Sequence, residues 1–312
     1  MKNKDFLSVS DLTPEQLRTL ITRAVNLKDE GWSTVLKEKI LLLLFEKPSA
    51  RHRAAFEVAM RQLGGQCFYM SQAEVGLGHR ESVADVSRVL SGYADCIAVR
   101  TYSQQTLETF ADYSRVPVIN SLTDMEHPCQ ALADLFTIYE KKGELQGLNI
   151  AFVGDGNNVA HSLMLASTLC GMNFRIASPK GYRVNDKILT KAQQYALENG
   201  AKIFIIEDPR EAVEGADIVY TDVWTSMGQE AEAEKRRKAF AGYQVNRELL
   251  ALAREDAIFM HDLPAHRGEE VTDEVMDGEQ SVVFEQSENK MYLLKALLTD
   301  MLGGTEILSG YR

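Results

Sequence analysis

Long hydrophobic runs are missing from this sequence, and no apolar stretch approaches the length that crosses a bilayer. The first residues, Met-Lys-Asn-Lys-Asp-Phe-Leu, lack the apolar core of a signal peptide. Low-complexity tracts and short-period repeats are missing as well. We therefore expect a cytoplasmic protein with no membrane partner and no repeat architecture.

Cysteine is also scarce, and basic residues are fewer than acidic ones. The four cysteines form no Cys-x-x-Cys pair and have no zinc-site spacing with histidine, so we expect reduced, mostly buried thiols. Asp and Glu number 45 against 34 Lys and Arg, which makes the net charge −11. This acidic balance argues against nucleic acid as a partner.

The remaining composition is that of a globular protein with two domains. The chain has 312 residues, of which 45% are hydrophobic and 25% charged. Short apolar runs alternate with amphipathic stretches in two successive series. Strands are predicted at 40–45, 66–70, 96–100 and 116–120 in the first series, and at 149–153, 173–177, 202–206, 218–222 and 257–261 in the second.

This alternation predicts an α/β fold of two domains, each a parallel sheet covered by helices, with an interdomain cleft. A long amphipathic stretch, 128–142, joins the two series, and further helices are predicted at 186–199 and 246–254. We place the first domain at 1–135 and the second at 136–284. A C-terminal helix, 285–312, is expected to pack back on the first domain.

The most informative segment is Phe45-Glu-Lys-Pro-Ser-Ala-Arg-His-Arg53, where a predicted strand is followed by a helix. Backbone N–H groups at a helix start attract anions, and Arg51, His52 and Arg53 add positive charge in an otherwise acidic protein. We interpret the segment as a candidate phosphate site. An ordinary capped helix with solvated arginines is the alternative.

Polar residues follow other predicted strands too. Arg100 ends one strand, His127 precedes a helix after the next, and Asp222 and His261-Asp262 follow strands of the second series. Ligands of open α/β sheets bind at the carboxyl ends of strands. We therefore expect these groups to face the cleft.

The loop Gly154-Asp-Gly-Asn-Asn158 loosely fits a dinucleotide motif, but the next strand lacks the acidic residue that binds a ribose. A tight turn that presents the asparagines is therefore favoured over NAD binding. Asp222 is either a ligand for a cationic group or a loop acid, and the charged stretch 230–238 is interpreted as a solvated helix face. Two classes remain: a transferase with an anionic donor and a cationic or zwitterionic acceptor, or a binding protein without chemistry.

Together these segments resemble the aspartate/ornithine carbamoyltransferase family, and within it the ornithine carbamoyltransferases, over nearly the whole chain. The motifs that carry the resemblance are Phe45-Glu-Lys-Pro-Ser49, Phe56-Glu-Val-Ala-Met60, Arg100-Thr-Tyr102, His127-Pro-Cys-Gln-Ala-Leu-Ala-Asp134, Gly154-Asp-Gly-Asn-Asn158, Asp222-Val-Trp-Thr-Ser-Met-Gly228 and His261-Asp-Leu-Pro264. The resemblance implies a carbamoyl-phosphate (donor) domain followed by an ornithine (acceptor) domain. It also implies a homotrimer with shared active sites, no metal and no organic cofactor.

The reaction implied is carbamoyl phosphate plus L-ornithine to L-citrulline plus phosphate, in arginine biosynthesis. The family's catalytic positions are Arg100, His127, Gln130 and Asp262. Its donor-binding positions are Ser49, Ala50, Arg51, His52, Gly76, Arg100, His127, Gln130, Leu263 and Lys290. Its ornithine-binding positions are Asn158, Asp222, Ser226 and Met227, with Asp222 pairing the α-ammonium.

Five of these residues depart from the family pattern, at positions implied for the donor side. They are Ala50 and His52 for threonines, Gly76 for a glutamine, Asp262 for a cysteine and Lys290 for an arginine. The changes remove hydroxyl donors, add a negative charge and lose a planar guanidinium. Three hypotheses stay open: carbamoyl transfer to ornithine with a remodelled donor pocket, an ornithine-binding paralogue with another donor, or a non-catalytic homologue.

Overall fold

The computed structural model describes residue 1, residues 4–226 and residues 228–303. Met227 and the last part of the predicted segment 285–312 lie outside these residues. The chain divides into unit 1, which comprises Met1–Phe136 and the segment from Glu288 onward, and unit 2, which comprises Thr137–Ser287. None of the described helices is both long and apolar enough to span a membrane.

Unit 1 is built on a four-stranded parallel sheet with the order β2-β1-β3-β4. Its strands are β1 (Ile40–Phe45), β2 (Gln66–Ser71), β3 (Cys96–Arg100) and β4 (Val118–Leu122). Its helices are α1 (Pro14–Glu30), α2 (Ala50–Gln62), α3 (Gln72–Val75), α4 (Val83–Leu90), α5 (Gln104–Tyr113) and α6 (Pro128–Lys142), which continues past the unit boundary. The central strands β1 and β3 are almost wholly buried, as expected for continuous apolar runs covered on both faces.

Unit 1 differs from the sequence-based prediction at the start of strand β4 and at helix α1. Strand β4 begins at Val118 rather than at 116, because Pro117 has no N–H for the ladder and contributes only its carbonyl, which accepts from the Ile97 N–H at 3.0 Å. Helix α1 was not predicted, although Thr13 caps it by accepting from the Gln16 N–H and Pro14 occupies its first turn.

Unit 2 is built on a five-stranded parallel sheet with the order β7-β6-β5-β8-β9. Its strands are β5 (Asn149–Val153), β6 (Asn173–Ala177), β7 (Ile203–Ile206), β8 (Ile218–Thr221) and β9 (Ile258–Met260). Its helices are α7 (Asn158–Leu169), α8 (Asp186–Asn199), α9 (Pro209–Val213), α10 (Ala233–Ala239), α11 (Arg247–Leu250) and α12 (Asp273–Met276), and α13 (Val283–Leu302) includes the boundary with the closing segment of unit 1. The two sheets and their helical layers confirm the predicted α/β class.

The helix predicted at 246–254 is shorter than expected. Helix α11 ends at Leu250, and the chain then turns so that the Arg254 N–H donates to the Ala216 carbonyl at 3.0 Å. A tertiary hydrogen bond thus replaces the last helical turn.

The strand order decides which loops are neighbours. All carboxyl ends of a parallel sheet lie along one edge. In unit 1 the adjacent strands β1, β3 and β4 lead to Ser49, Arg100 and His127. In unit 2 the adjacent strands β5, β8 and β9 lead to the loops of the Asn158, Asp222 and Asp262 segments, and each unit therefore presents one set of converging polar loops.

Candidate active site

Five basic side chains form a cluster at the carboxyl edge of the unit 1 sheet, called here the basic cluster. Its members are Arg51, His52, Arg100, His127 and Lys290. Four of them are buried, and Arg51 is exposed. The charged members of this cluster, gathered in a largely water-excluded place, attract an anion far more strongly than the same groups on an open surface.

Local structure positions the members of the basic cluster. Ser49 caps α2 by accepting the His52 N–H at 3.4 Å, which places Arg51 and His52 in the first helical turn. The pairing register of β3 and β4 shifts between Val99 and Arg100. Such an irregularity re-aims the side chain at the strand end, here the guanidinium of Arg100.

The rings of the two histidines of the cluster contact each other in a tilted arrangement, with ring centroids 4.6 Å apart and ring planes inclined by 32°. Burial, followed by the charge of Lys290, lowers the pKa of His52 well below its usual value. Burial, followed by Arg100 and then Lys290, lowers the pKa of His127 in the same direction. Both imidazoles are therefore neutral near pH 7 and can each offer a neutral N–H to an oxygen.

Two other residues of the predicted donor motifs make defined contacts. Gln130 is buried, and its Nε2 donates to Asp134 at 2.7 Å, which orients the amide within α6. Arg53, in contrast, turns away from the basic cluster. Its Nε donates to Glu57 at 2.7 Å, and its guanidinium lies 4.2 Å from the centroid of the Tyr69 ring.

Ala50 and Gly76 are small residues at turns. Ala50 is exposed at the first position of α2. Gly76 ends α3 with φ of 65°, and a Cβ there would lie 2.7 Å from the Arg80 Cβ. Its left-handed conformation and this close approach both favour glycine. That either residue touches the donor stays a prediction.

In unit 2, a pair of carboxyl groups lies beyond β8 and β9. Asp222 is only 6% exposed; its Oδ2 accepts from the Asn157 amide at 2.7 Å and its Oδ1 from the Val223 N–H at 2.7 Å. A hydrogen bond joins it to Asp262, and burial together with the charge of Asp262 raises the pKa of Asp222 well above its usual value. Such a pair holds either a shared proton or a cation.

Asp262 thus contacts a residue predicted for the acceptor, although the resemblance placed it on the donor side. Its donor-side role stays a prediction. Asp222, Asp262 and His261 each offer one potential ligand atom, and these three atoms lie within 4.8 Å of one another. The imidazole is already engaged, because Nδ1 accepts the Leu263 N–H at 2.9 Å and Nε2 lies 3.1 Å from Glu270 Oε1. The carboxyl pair is therefore better suited to an ammonium group than to a metal ion that needs the imidazole.

The loop after β5 presents Asn157, one of the two asparagines expected there, and gives it a partner, Asp222, that the sequence-based prediction did not include. Asn157 caps α7 by accepting from the N–H groups of Val159 and Ala160 at 3.0 and 3.1 Å, and its amide nitrogen donates to Asp222. The predicted residue Asn158 begins α7, and its Oδ1 accepts the Val159 N–H at 3.1 Å. An asparagine directly before a helix is a recognisable N-cap signal, which identifies the cap but not the bond to Asp222.

The glycines of this loop allow a close backbone approach. A Cβ on Gly156 would lie 2.3 Å from the Val184 backbone nitrogen. This packing supports the interpretation that the glycines serve a tight turn rather than a dinucleotide site.

Arg236 connects two loops of the unit 2 site. Its Nη1 donates to Asp155 Oδ2 at 2.7 Å, in the loop after β5, and to the Trp224 carbonyl at 2.9 Å, in the loop after β8. The interpretation of 230–238 as a solvated face is therefore wrong at Arg236, which is 7% exposed, although Arg237 beside it is exposed and pairs with Glu269. No sequence signal separates the two arginines.

The predicted residue Ser226 lies in the same loop, after Trp224. Its backbone N–H donates to Gln229 Oε1 at 3.1 Å, and its carbonyl accepts the Gln229 N–H at 3.0 Å. Both bonds hold the loop in a local turn. Met227 follows it and lies outside the described residues.

Comparison with known proteins supports the family resemblance in both halves of the chain. Residues 4–140 match the carbamoyl-P binding domain and residues 146–301 the Asp/Orn binding domain of aspartate/ornithine carbamoyltransferase. The ornithine carbamoyltransferase of Anoxybacillus flavithermus is 50% identical over 306 residues, 97% of this chain and 98% of that protein. That of Bacillus subtilis is 49% identical over 299 residues, covering 96% and 94%.

Solved structures lead to the same result. The ornithine carbamoyltransferase of Pyrococcus furiosus has a TM-score of 0.94 and 48% identity, over 97% of this chain and 98% of that one. With both domains matched in order and near-complete coverage, the chain belongs to the aspartate/ornithine carbamoyltransferase family.

Proposed function

We propose that the protein transfers the carbamoyl group of carbamoyl phosphate to the δ-amine of L-ornithine, forming L-citrulline and phosphate. The observation that carries this proposal is the buried basic cluster of unit 1, which suits a dianionic donor. The names of the matched relatives favour this reaction over the two alternatives raised from the sequence. Since one relative is named an anabolic ornithine carbamoyltransferase, we place the reaction in arginine biosynthesis.

On the donor side, we assign the phosphate to Ser49, Arg51, His52 and Lys290, and the carbonyl oxygen to Arg100, His127 and Gln130. The fixed charges of Arg100 and Lys290 are buried, so they act in a low dielectric and need no reorganisation as charge moves onto the leaving phosphate. Neutral His127 offers an N–H without adding charge. These groups polarise the carbonyl and stabilise the departing dianion.

On the acceptor side, we assign the α-ammonium of ornithine to Asp222, supported by Asn158, Ser226 and Met227. Asp222 is held by Asn157 and Val223, so its carboxyl group keeps one orientation. The departure at Asp262 is then an acceptor-side feature, because its hydrogen bond is to Asp222. A second carboxyl group beside the first favours an acceptor that carries two amino groups.

The chemistry requires no covalent intermediate. The neutral δ-amine attacks the carbonyl carbon, a C–N bond forms, the C–O bond to phosphate breaks with its electron pair going to the phosphate, and the proton lost by the amine passes to that phosphate. Positioning and charge stabilisation are the tasks left to the protein.

Steady-state citrulline formation tests the proposal, with Arg100→Met compared with Arg88→Met. Arg88 is exposed and pairs with Asp85, so it is a matched control in the same unit. We expect the first change to lower kcat by at least about 100-fold and the second to leave it unchanged. Turnover no better than that of heat-denatured protein, or equal loss in both variants, contradicts the proposal.

We further propose that the chain forms a cytoplasmic homotrimer with shared active sites, as the family resemblance implies. Four free cysteines agree with a reducing compartment. Light scattering on the purified protein should give three times the chain mass of 34.9 kDa. A single-chain mass at micromolar concentration contradicts the trimer.

A further inference from the structure

His52 stands where the family has a threonine, so it adds an ionisable side chain to the basic cluster, and that side chain is buried. Its side chain is 2% exposed, and its backbone N–H is bonded to the Ser49 cap. Among the described residues, no hydrogen-bond partner lies within reach of its buried Nε2. A polar nitrogen left without a partner in such a place calls for a ligand.

The groups around His52 come from four elements. Arg51 lies on α2 itself, Arg100 ends β3, His127 precedes α6, and Lys290 lies on α13. The His127 ring also contacts the His52 ring. Within the described part of the chain, the groups that lower the pKa of His52 electrostatically are all basic, and they act together with burial to keep the imidazole neutral. An anion placed among them reverses the sign of the local field.

We propose that His52 is a proton-linked ligand of the donor's phosphate: its imidazole is neutral in the free protein, and a bound dianion draws one proton from solvent onto it. The resulting imidazolium replaces the hydroxyl donors lost at Ala50 and His52 with one charged donor. The inference rests on the proposed function only for naming the anion as a phosphate. Its chemistry applies to any tetrahedral dianion in this pocket.

The linkage fixes the direction of the pH dependence. The complex binds one more proton than the free protein, so affinity falls as pH rises, by up to about tenfold per pH unit. The affinity falls between two pH values. The lower one is the pKa of His52 in the free protein, which lies well below its usual value, and the upper one is the higher pKa of His52 in the complex. A threonine or glutamine at this position has no proton to take up and predicts a flat profile.

Isothermal titration calorimetry with sulfate tests the linkage, because sulfate stays a dianion between about pH 5 and 9 and any pH dependence then belongs to the protein. At about pH 7, titrations in buffers of different ionisation enthalpy should show uptake of about one proton per sulfate bound. The same titrations are done with His52→Gln, His52→Thr and His266→Gln. His266 is an exposed histidine of unit 2 and is the matched control.

We expect both His52 variants to bind sulfate without proton uptake and with an affinity independent of pH, and His266→Gln to behave like the wild type. Proton uptake that persists in both His52 variants, wild-type binding without uptake, or failure of the wild type to bind both sulfate and carbamoyl phosphate overturns the inference. Citrulline formation is measured separately. Its absence alongside proton-linked sulfate binding overturns the proposed function and leaves the inference standing.

Discussion

Replacing Arg236 by methionine tests how much this side chain stabilises unit 2 by connecting the loops after β5 and β8. Methionine keeps the length and much of the apolar volume of the arginine side chain but removes its charge and donors. The change breaks the 2.7 Å bond to Asp155 and the 2.9 Å bond to the Trp224 carbonyl. Both charged side chains are largely buried, with relative exposures of 8% and 10%.

The magnitude follows from burial. Removing one partner of a buried ion pair leaves the other charge uncompensated and lowers the free energy of unfolding by about 3–5 kcal/mol. Arg237→Met removes an exposed pair with Glu269, and exposed pairs contribute about 0–1 kcal/mol. The two adjacent substitutions should therefore differ by at least about 2 kcal/mol.

Urea unfolding followed by tryptophan fluorescence measures this difference. The sequence has two tryptophans: Trp32 is exposed, and Trp224 is buried in the loop after β8. A Trp32→Phe background therefore reports on unit 2 alone. Equal unfolding free energies for Arg236→Met and Arg237→Met would refute the reasoning.

The pH dependence provides a second check on the same variant. Burial raises the pKa of Asp155 even though Arg236 opposes the shift, so the folded state binds its proton more readily than the unfolded chain. Its contribution to stability therefore falls as pH rises above the usual value of 3.8. Without Arg236 the pKa rises further, and the deficit of Arg236→Met should be largest near neutral pH and shrink toward about pH 4.

Three further outcomes are expected. Asp262→Asn removes the charge that helps to raise the pKa of Asp222, so ornithine binding measured by calorimetry should persist to lower pH than in the wild type. An unchanged pH profile of binding would show that the two carboxyl groups are not coupled. Asn157→Ser keeps a helix cap but loses the amide donor to Asp222, so KM for ornithine should rise about tenfold while thermal stability changes little, and a large fall in Tm would contradict this. Burial raises the pKa of the Cys67 thiol to about 12, so Ellman's reagent at about pH 8 should modify it far more slowly in the native than in the urea-unfolded protein, and equal rates would count against its burial.

Sequence patterns predicted the regular elements well where the local signals agree. The bounds of β1, β3, β5 and β6 match the predicted ranges, because each is a short, mainly apolar run bounded by polar or turn residues. Helix α8 also matches, because Asn185 caps its start and Gly200, in the left-handed conformation, ends it. Elements set by tertiary contacts, such as the shortened α11, were predicted less well.

For the site, the motifs identified the residue types and their strands but not their partners. His52 and His127 are far apart in sequence, and only the order β1-β3-β4 brings their rings together. Asp262 was assigned to the donor side by analogy, and the adjacency of β8 and β9 explains its contact with Asp222. Arg236 and Arg237 look alike in the sequence, and packing alone buries one of them.

The sequence by itself determined the α/β class, the run of strands and helices, the family and the candidate positions for the chemistry, because apolar periodicity, caps and motif residues are local properties. The tertiary structure decided which charges share a buried space. A buried imidazole among cations and a buried carboxyl group beside another carboxyl group acquire their shifted pKa values from neighbours that parallel strand order brings together across long stretches of chain.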